Sequence, residues 1–288
     1  MHKRNVIWLA SYPKSGNTWF RVFLTNLLND SDAPANINDL AEASISSSRK
    51  IFDDYTGISS ADLTNEEIDR LRPDVYRLQS RETNDLLFKK VHDKYYFVDE
   101  FTPLFPAEIS KGVIYIIRNP LDVIVSFAYH SAKSIEEMLP VLNNPEYAFC
   151  SQKNKLHNQL RQILGSWSDH VKSWTEQKDI PVRVIRYEDM ISNTFNTFNQ
   201  ALKFLDINKS DQEITTAIQK SDFGVLSKQE KEEGFKEKMI KSTSFFRKGE
   251  INDWKNHLNE EMKNEIISAN KDVMMKFGYI DSNNQLIF

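Results

Sequence analysis

The chain has 288 residues, 40% of them hydrophobic and 11% aromatic, a composition that can bury a large core and is unlike that of a disordered chain. Its formal net charge of −4 argues against nucleic acid as a partner, since such binders carry a basic footprint. The single cysteine, Cys150, excludes an internal disulfide and suits a reducing, cytoplasmic compartment; no Cys/His cluster has metal-ligand spacing, so no metal is expected, and no apolar run is long enough to cross a membrane.

In chain order, residues 5–11 form a short apolar run before a turn containing Pro13 and Gly16. Trp19, Phe20, Phe23, Leu24, Leu27 and Leu28 then recur at helical spacing, so strand, loop and helix are predicted. Residues 29–81 are polar without a clear apolar period and read as an irregular or partly helical insertion. Strands are predicted over 86–91, 113–117 and 182–187, and the second of these leads through Arg118-Asn119-Pro120 into a helix over 121–132, with proline at its start. Helical patterns fill 152–177, 194–205, 211–220 and 259–277, whereas 227–244 reads, like 29–81, as irregular or partly helical. This alternation predicts an α/β fold of three layers, α/β/α, around a central and mainly parallel sheet. Without repeats, low-complexity tracts or linkers, a single domain over 1–288 is expected, with insertions at 29–81, 131–153 and 227–246 of the kind that often border a site.

Tyr12-Pro13-Lys14-Ser15-Gly16-Asn17-Thr18-Trp19 lies where a predicted strand meets a predicted helix, a place where unpaired backbone N–H groups and the helix dipole favour an anion. Gly16 permits close backbone approach, Ser15, Asn17 and Thr18 can donate side-chain hydrogen bonds, and Lys14 adds a positive charge. The nucleotide-triphosphatase loop has the order G-x-x-x-x-G-K-[ST], whereas here lysine precedes the glycine, which disfavours a kinase or ATPase. A plain strand-to-helix turn with a surface lysine is the simpler alternative.

Arg118 at a strand end and Ser126 about two helical turns later fall on one side of a helix, and an arginine fork suits a terminal phosphate. The structural alternative is an ion pair from Arg118 to Asp122 that merely caps the helix. Near the other end, Phe246-Arg247-Lys248-Gly249-Glu250-Ile251-Asn252-Asp253-Trp254-Lys255 holds a basic pair that in isolation would read as solvated surface.

Together these three segments resemble those of the cytosolic sulfotransferases, which use 3′-phosphoadenosine-5′-phosphosulfate (PAPS). YPKSGNTW resembles their 5′-phosphosulfate loop, RNPLDVIVS their 3′-phosphate motif, and FRKGEINDWK their RKGxxGDWK signature, with Asn252 in place of the usual second glycine. Asparagine tolerates left-handed backbone angles, so the turn is expected to survive. IRYEDM and GSWSDHV resemble further family segments, and the likeness spans most of the chain. It implies a P-loop-like sulfotransferase fold, PAPS as co-substrate released as adenosine 3′,5′-bisphosphate (PAP), and a small-molecule acceptor. It also implies that Lys14, Ser15, Gly16, Asn17 and Thr18 hold the 5′ side, and that Arg118, Ser126, Arg247, Lys248 and Gly249 hold the 3′-phosphate. Trp19, Tyr187, Ser221, Phe223 and Phe246 would line the adenine.

The segment Lys89-Lys90-Val91-His92-Asp93 resembles the family's K-T-H segment, which implies His92 as general base, with Lys14 and Lys90 as further catalytic groups. A neutral imidazole suits proton removal near neutral pH; the alternative is a histidine that only caps a strand end against Asp93. Sulfuryl transfer to a hydroxyl or an amine is therefore the expected activity. The alternatives are a small-molecule kinase and a non-catalytic nucleotide-binding protein of the same fold. Acidic residues in the insertions, among them Glu42, Asp53, Asp54, Glu137, Glu230 and Glu233, read as solvated faces or as partners of a cationic acceptor. A natural-product tailoring role and a monomer or homodimer complete the expectations.

Overall fold

The computed structural model describes residues 3–29, 31–40, 43–152, 155–239 and 241–287. Its elements are, in chain order, β1 (Val6–Ser11), α1 (Asn17–Leu28), β2 (Ala43–Ile45), α2 (Arg49–Thr56), α3 (Asn65–Glu82), β3 (Leu87–Val91), β4 (Ser110–Ile117), α4 (Pro120–Ser131) and α5 (Ile135–Leu142). There follow β5 (Ala148–Phe149), β6 (Gln162–Ile163), α6 (Trp167–Glu176), β7 (Val182–Arg186), α7 (Tyr187–Ser192), α8 (Thr194–Phe204), α9 (Asp211–Lys220), α10 (Phe223–Glu233) and α11 (Glu260–Lys276). A central sheet in the order β2-β3-β1-β4-β7, flanked by helices, gives the three-layer α/β/α class. The strands are near-continuous apolar runs because both faces of such a sheet are covered: all six residues of β1 are buried.

The chain divides into two compact units. The first holds Met1–Tyr12, Glu42–Tyr115 and Pro145–Val184, and the second Pro13–Ala41, Ile116–Asn144 and Ile185–Phe288. In the first, β1 pairs in parallel with β3, setting Leu9 opposite Lys90 and Ala10 opposite Val91, and β2 adds to the far side of β3. Trp8 packs edge-on against Tyr76 and Phe105. In the second unit, Phe20 and Phe23 of α1 pack on Phe198 of α8 with ring centroids 5.3 and 4.3 Å apart, the helical face that their spacing predicts.

Several segments depart from the sequence expectation. The insertion over 29–81 is more regular than expected, since α3 runs for 18 residues from a Thr64–Glu67 capping box. Its apolar period is interrupted by Asp69 and Arg72, which are buried in ion pairs rather than turned to water. The helix expected over 152–177 is confined to α6, because Gly165 takes a positive φ of 69° and Ser166 caps the new helix by accepting the Asp169 N–H. Ahead of it lies the short antiparallel pair of β5 and β6. α10 supplies the helical part of the segment 227–244 that reads as irregular or partly helical, its buried face being one leucine and one carboxylate, Leu226 and Glu230. Residues 30, 41, 42, 153, 154 and 240, Glu42 among them, lie outside the described residues.

Candidate active site

The loop between β1 and α1 is built from two left-handed residues, Lys14 at φ 69° and Gly16 at φ 102°. A non-glycine residue in that region costs roughly 1–2 kcal/mol, and such strain is found where a side chain must be aimed. Gly16 is the N-cap of α1, which has no side-chain cap and no acidic residue in its first turn, so nothing there offsets the positive end of the helix dipole. Ser15 Oγ and Trp19 Nε1 are buried with no hydrogen-bond partner among the described residues. The Lys14 ammonium lies 3.7 Å from the centroid of the Phe245 ring.

The second segment converges on this loop within the same unit. Asn119 caps α4 by accepting the Leu121 N–H at 3.1 Å, Pro120 occupies the first turn, and the Asn119 N–H is in turn held by Glu188 at 3.0 Å. That arrangement turns Arg118 toward the loop. Its Nη1 donates to the Lys14 carbonyl at 3.2 Å, its Nη2 donates to the Glu250 carbonyl at 2.9 Å, and its guanidinium stacks 4.2 Å from the Tyr187 ring centroid. Among the described residues Arg118 makes no ion pair with Asp122, and its buried Nε has no partner, so the structural alternative of a self-capping pair does not hold. Ser126 is half-buried on α4.

The third segment is organised by carboxylates. Glu230 accepts the backbone N–H groups of Phe245 and Phe246 at 2.6 and 2.8 Å, which fixes the chain just before Arg247. Asp253 takes a hydrogen bond from Arg247 and one from Lys248 at 2.6 Å. Burial alone would raise the Asp253 carboxyl, but the hydrogen bonds from Lys248 and Arg247 hold it well below the usual range. Asn252 adopts φ 66° and ψ 16°, so asparagine does fill the left-handed position expected of it. Gly249 is constrained twice: its φ of 69° is strained for any side chain, and an added Cβ would lie 2.4 Å from Cδ2 of Phe223, so that ring would have to shift.

Of the residues expected around adenine, Trp19 stands edge-on to Tyr187 at 6.2 Å and Phe223 edge-on to Phe246 at 6.4 Å. Trp19 and Phe246 both pack on the cluster of Val22, Ile37, Leu40, Leu226 and Phe235. Burial raises the Tyr187 hydroxyl above its ordinary range. Ser221 is fully buried, and its hydroxyl is committed to the Ala217 and Ile218 carbonyls of its own helix.

His92 and Lys90 belong to the first unit. Lys90 and Lys89 are buried on β3, and burial pushes the Lys89 ammonium down to about 8. The His92 ring bonds the Ser11 carbonyl through Nδ1 at 2.9 Å. A carbonyl can only accept, so Nδ1 carries the hydrogen of this bond, and in the neutral form of the ring Nε2 is the basic nitrogen. The His92 backbone is held from two sides. Its carbonyl accepts from Nε2 of His170 at 3.1 Å, whose Nδ1 meets the Tyr115 hydroxyl at 2.8 Å. Burial pushes His170 down to about 3, so its ring is neutral and Tyr115 is the donor. The following residue, Asp93, is fully buried against Arg72 through contacts of 3.2 and 2.7 Å, and its carbonyl accepts the Trp174 indole N–H at 3.0 Å.

Sequence reasoning missed these supports: Glu188, Glu230, Asp253, His170 and the Arg72–Asp93 pair. The signal available for them was apolar periodicity, which a buried carboxylate or guanidinium breaks. The acidic insertion residues also have local partners. Glu137 closes a capping box with Ser134, Asp53 accepts the Ser60 N–H, Asp54 pairs with Lys50, and Glu233 accepts from Asn36.

Lys14, Arg118, Arg247 and Lys248, the Ser15 Oγ, Trp19 Nε1 and Arg118 Nε that lack a partner among the described residues, and the surrounding aromatic rings are donors and faces of the kind that suit a bisphosphorylated adenosine. The fit is therefore good. Among the described residues no group of three or more His, Cys, Asp or Glu is placed to hold a metal ion, and no helix is long and apolar enough to cross a membrane.

Comparison with known proteins agrees with this chemistry. The chain is 27% identical to the luciferin sulfotransferase of Photinus pyralis, over 89% of this chain and 68% of that one. It is 26% identical to sulfotransferase 1 family member D1 of Mus musculus, over 94% and 85% of the two chains. A mouse sulfotransferase solved in complex with PAP shares the fold at a TM-score of 0.60 and 19% identity, over 94% of this chain and 85% of that one. Because the sulfotransferase domain model matches residues 4–278, the chain belongs to the sulfotransferase family, enzymes that carry a sulfuryl group from PAPS to a small-molecule acceptor.

Proposed function

We propose that the second unit grips PAPS through three segments: Lys14, Ser15, Gly16, Asn17 and Thr18 on its 5′ side, and Arg118, Ser126, Arg247, Lys248 and Gly249 on its 3′-phosphate. Trp19, Tyr187, Phe223 and Phe246 take the adenine, with Ser221 behind them as support. The observation that carries this reading is Arg118, whose guanidinium binds one carbonyl of the phosphate loop and one of the third segment and so stands where all three meet.

PAPS supplies an activated sulfuryl group whose leaving oxygen bridges phosphorus and sulfur. The protein's part is positioning and electrostatics, as in phosphoryl transfer. Lys14 balances the charge that grows on the leaving oxygen, and Lys90 assists. His92, with its Nδ1 hydrogen committed to Ser11, takes the acceptor's proton on Nε2. The acceptor is a small metabolite with a hydroxyl, or secondarily an amine, of the natural-product kind, and cationic groups on it are not required. The lone cysteine supports a cytoplasmic setting.

The test compares PAP with adenosine 5′-phosphate in thermal unfolding. PAP should raise Tm more, and Arg118→Ala should shrink that difference. Equal shifts from both nucleotides in the wild-type protein would contradict the 3′-phosphate assignment.

A further inference from the structure

A phosphate-binding arginine one turn from a carboxylate would ordinarily spend its charge on it. Here Asp122, 2% exposed in the first turn of α4, is occupied otherwise. Its Oδ2 accepts the Asn252 N–H at 2.8 Å and its Oδ1 accepts the Trp254 N–H at 3.0 Å, across 130 and 132 residues of sequence. These amides flank Asp253, the carboxylate that holds Arg247 and Lys248. Arg118, four residues ahead of Asp122, ties the same segment by its bond to the Glu250 carbonyl.

We propose that Asp122 is a positioning residue for recognition of the 3′-phosphate, acting by docking the segment that carries Arg247 and Lys248 onto the helix that carries Arg118. This rests on the nucleotide reading above. Each carboxylate oxygen accepts one backbone N–H, and charge-assisted bonds of this kind are among the stronger ones. The dipole of α4 favours a negative charge in its first turn. The carboxylate therefore fixes the distance between two cationic segments without neutralising either. Asn252 belongs to the same device: its left-handed φ of 66° lets the chain turn so that the N–H groups of residues 252 and 254 point to one carboxylate.

The experiment measures Kd for PAP and for adenosine 5′-phosphate by calorimetry on wild type and on Asp122→Asn. The amide can accept one of the two N–H groups and opposes the other, so PAP binding should weaken about tenfold. Binding of adenosine 5′-phosphate should stay within about twofold, since only the 3′ side is loosened. A purely structural role would weaken both equally, and that result, or unchanged PAP binding, overturns the proposal. A wild type that does not prefer PAP would overturn the nucleotide assignment first and the proposal with it. If Asp122→Asn fails to fold, hydrogen exchange of the wild type decides. PAP should protect the amides of Asn252 and Trp254 more than adenosine 5′-phosphate does, and equal protection by the two nucleotides overturns the proposal.

Discussion

An added Cβ on Gly16 would lie 2.5 Å from Cδ2 of Tyr187, so the loop between β1 and α1 and the start of α7 meet at a point where the loop has no room for a side chain. The contact matters because Tyr187 also carries the Arg118 guanidinium on its ring face. A change at Gly16 is therefore transmitted to the arginine.

Gly16→Ala combines a left-handed backbone, worth roughly 1–2 kcal/mol against any side chain, with displacement of the tyrosine ring. Tm should fall by roughly 5 °C, and the rise produced by saturating PAP should shrink to less than half. Retention of the full PAP-induced rise in this variant would show that the loop does not need its close approach to Tyr187.

The strand-loop-helix units around Gly16 and Arg118 were legible in the sequence because their apolar runs and turn residues follow the usual periods. So was the backbone role of Asn252. What stayed hidden was the set of buried charges. Asp69, Arg72 and Glu230 occupy inward positions where periodicity expects apolar side chains, so the segments holding α3 and α10 read only as irregular or partly helical. The purpose of Asp122 and Glu188 could not be read either, since their partners lie 130 and 69 residues away. Local sequence shows a carboxylate but not which distant amide it holds.

The assignment of His92 as base separates chemistry from binding. His92→Ala should lower kcat by about 10²–10⁴-fold, the usual contribution of a general base. The PAP-induced rise in Tm should stay at the wild-type value, because the residues proposed to hold the nucleotide are others. Turnover near the wild-type rate would remove His92 from the mechanism.

Behind His92, Arg72 and Asp93 form a buried pair with side chains 1% and 0% exposed. Removing one partner of such a pair costs about 3–5 kcal/mol, because a charge is left stranded. Arg72→Met should therefore be strongly destabilised in urea unfolding. Asp93→Asn added to it should restore part of the loss, since the stranded carboxylate is gone. Additive losses in the double variant would mean the two side chains are not coupled.

His170 gives the protein a specific acid sensitivity. Its ring is pushed down to about 3 in the folded state by burial, against about 6.5 in the unfolded chain. Between those values the unfolded state binds a proton that the folded state refuses, so stability rises with pH across the window and is lost as pH falls below 6.5. From pH 7 to pH 5 this one group should cost roughly 2 kcal/mol. His170→Gln cannot titrate and should flatten the pH dependence by about that amount, measured as the difference between wild-type and variant unfolding free energies at the two pH values. The same variant should lower kcat more than it changes KM for PAPS, because the bond from His170 to the His92 carbonyl orients the proposed base and not the residues proposed to hold the nucleotide. Parallel stability curves for the two proteins would show that His170 can take up its proton without unfolding.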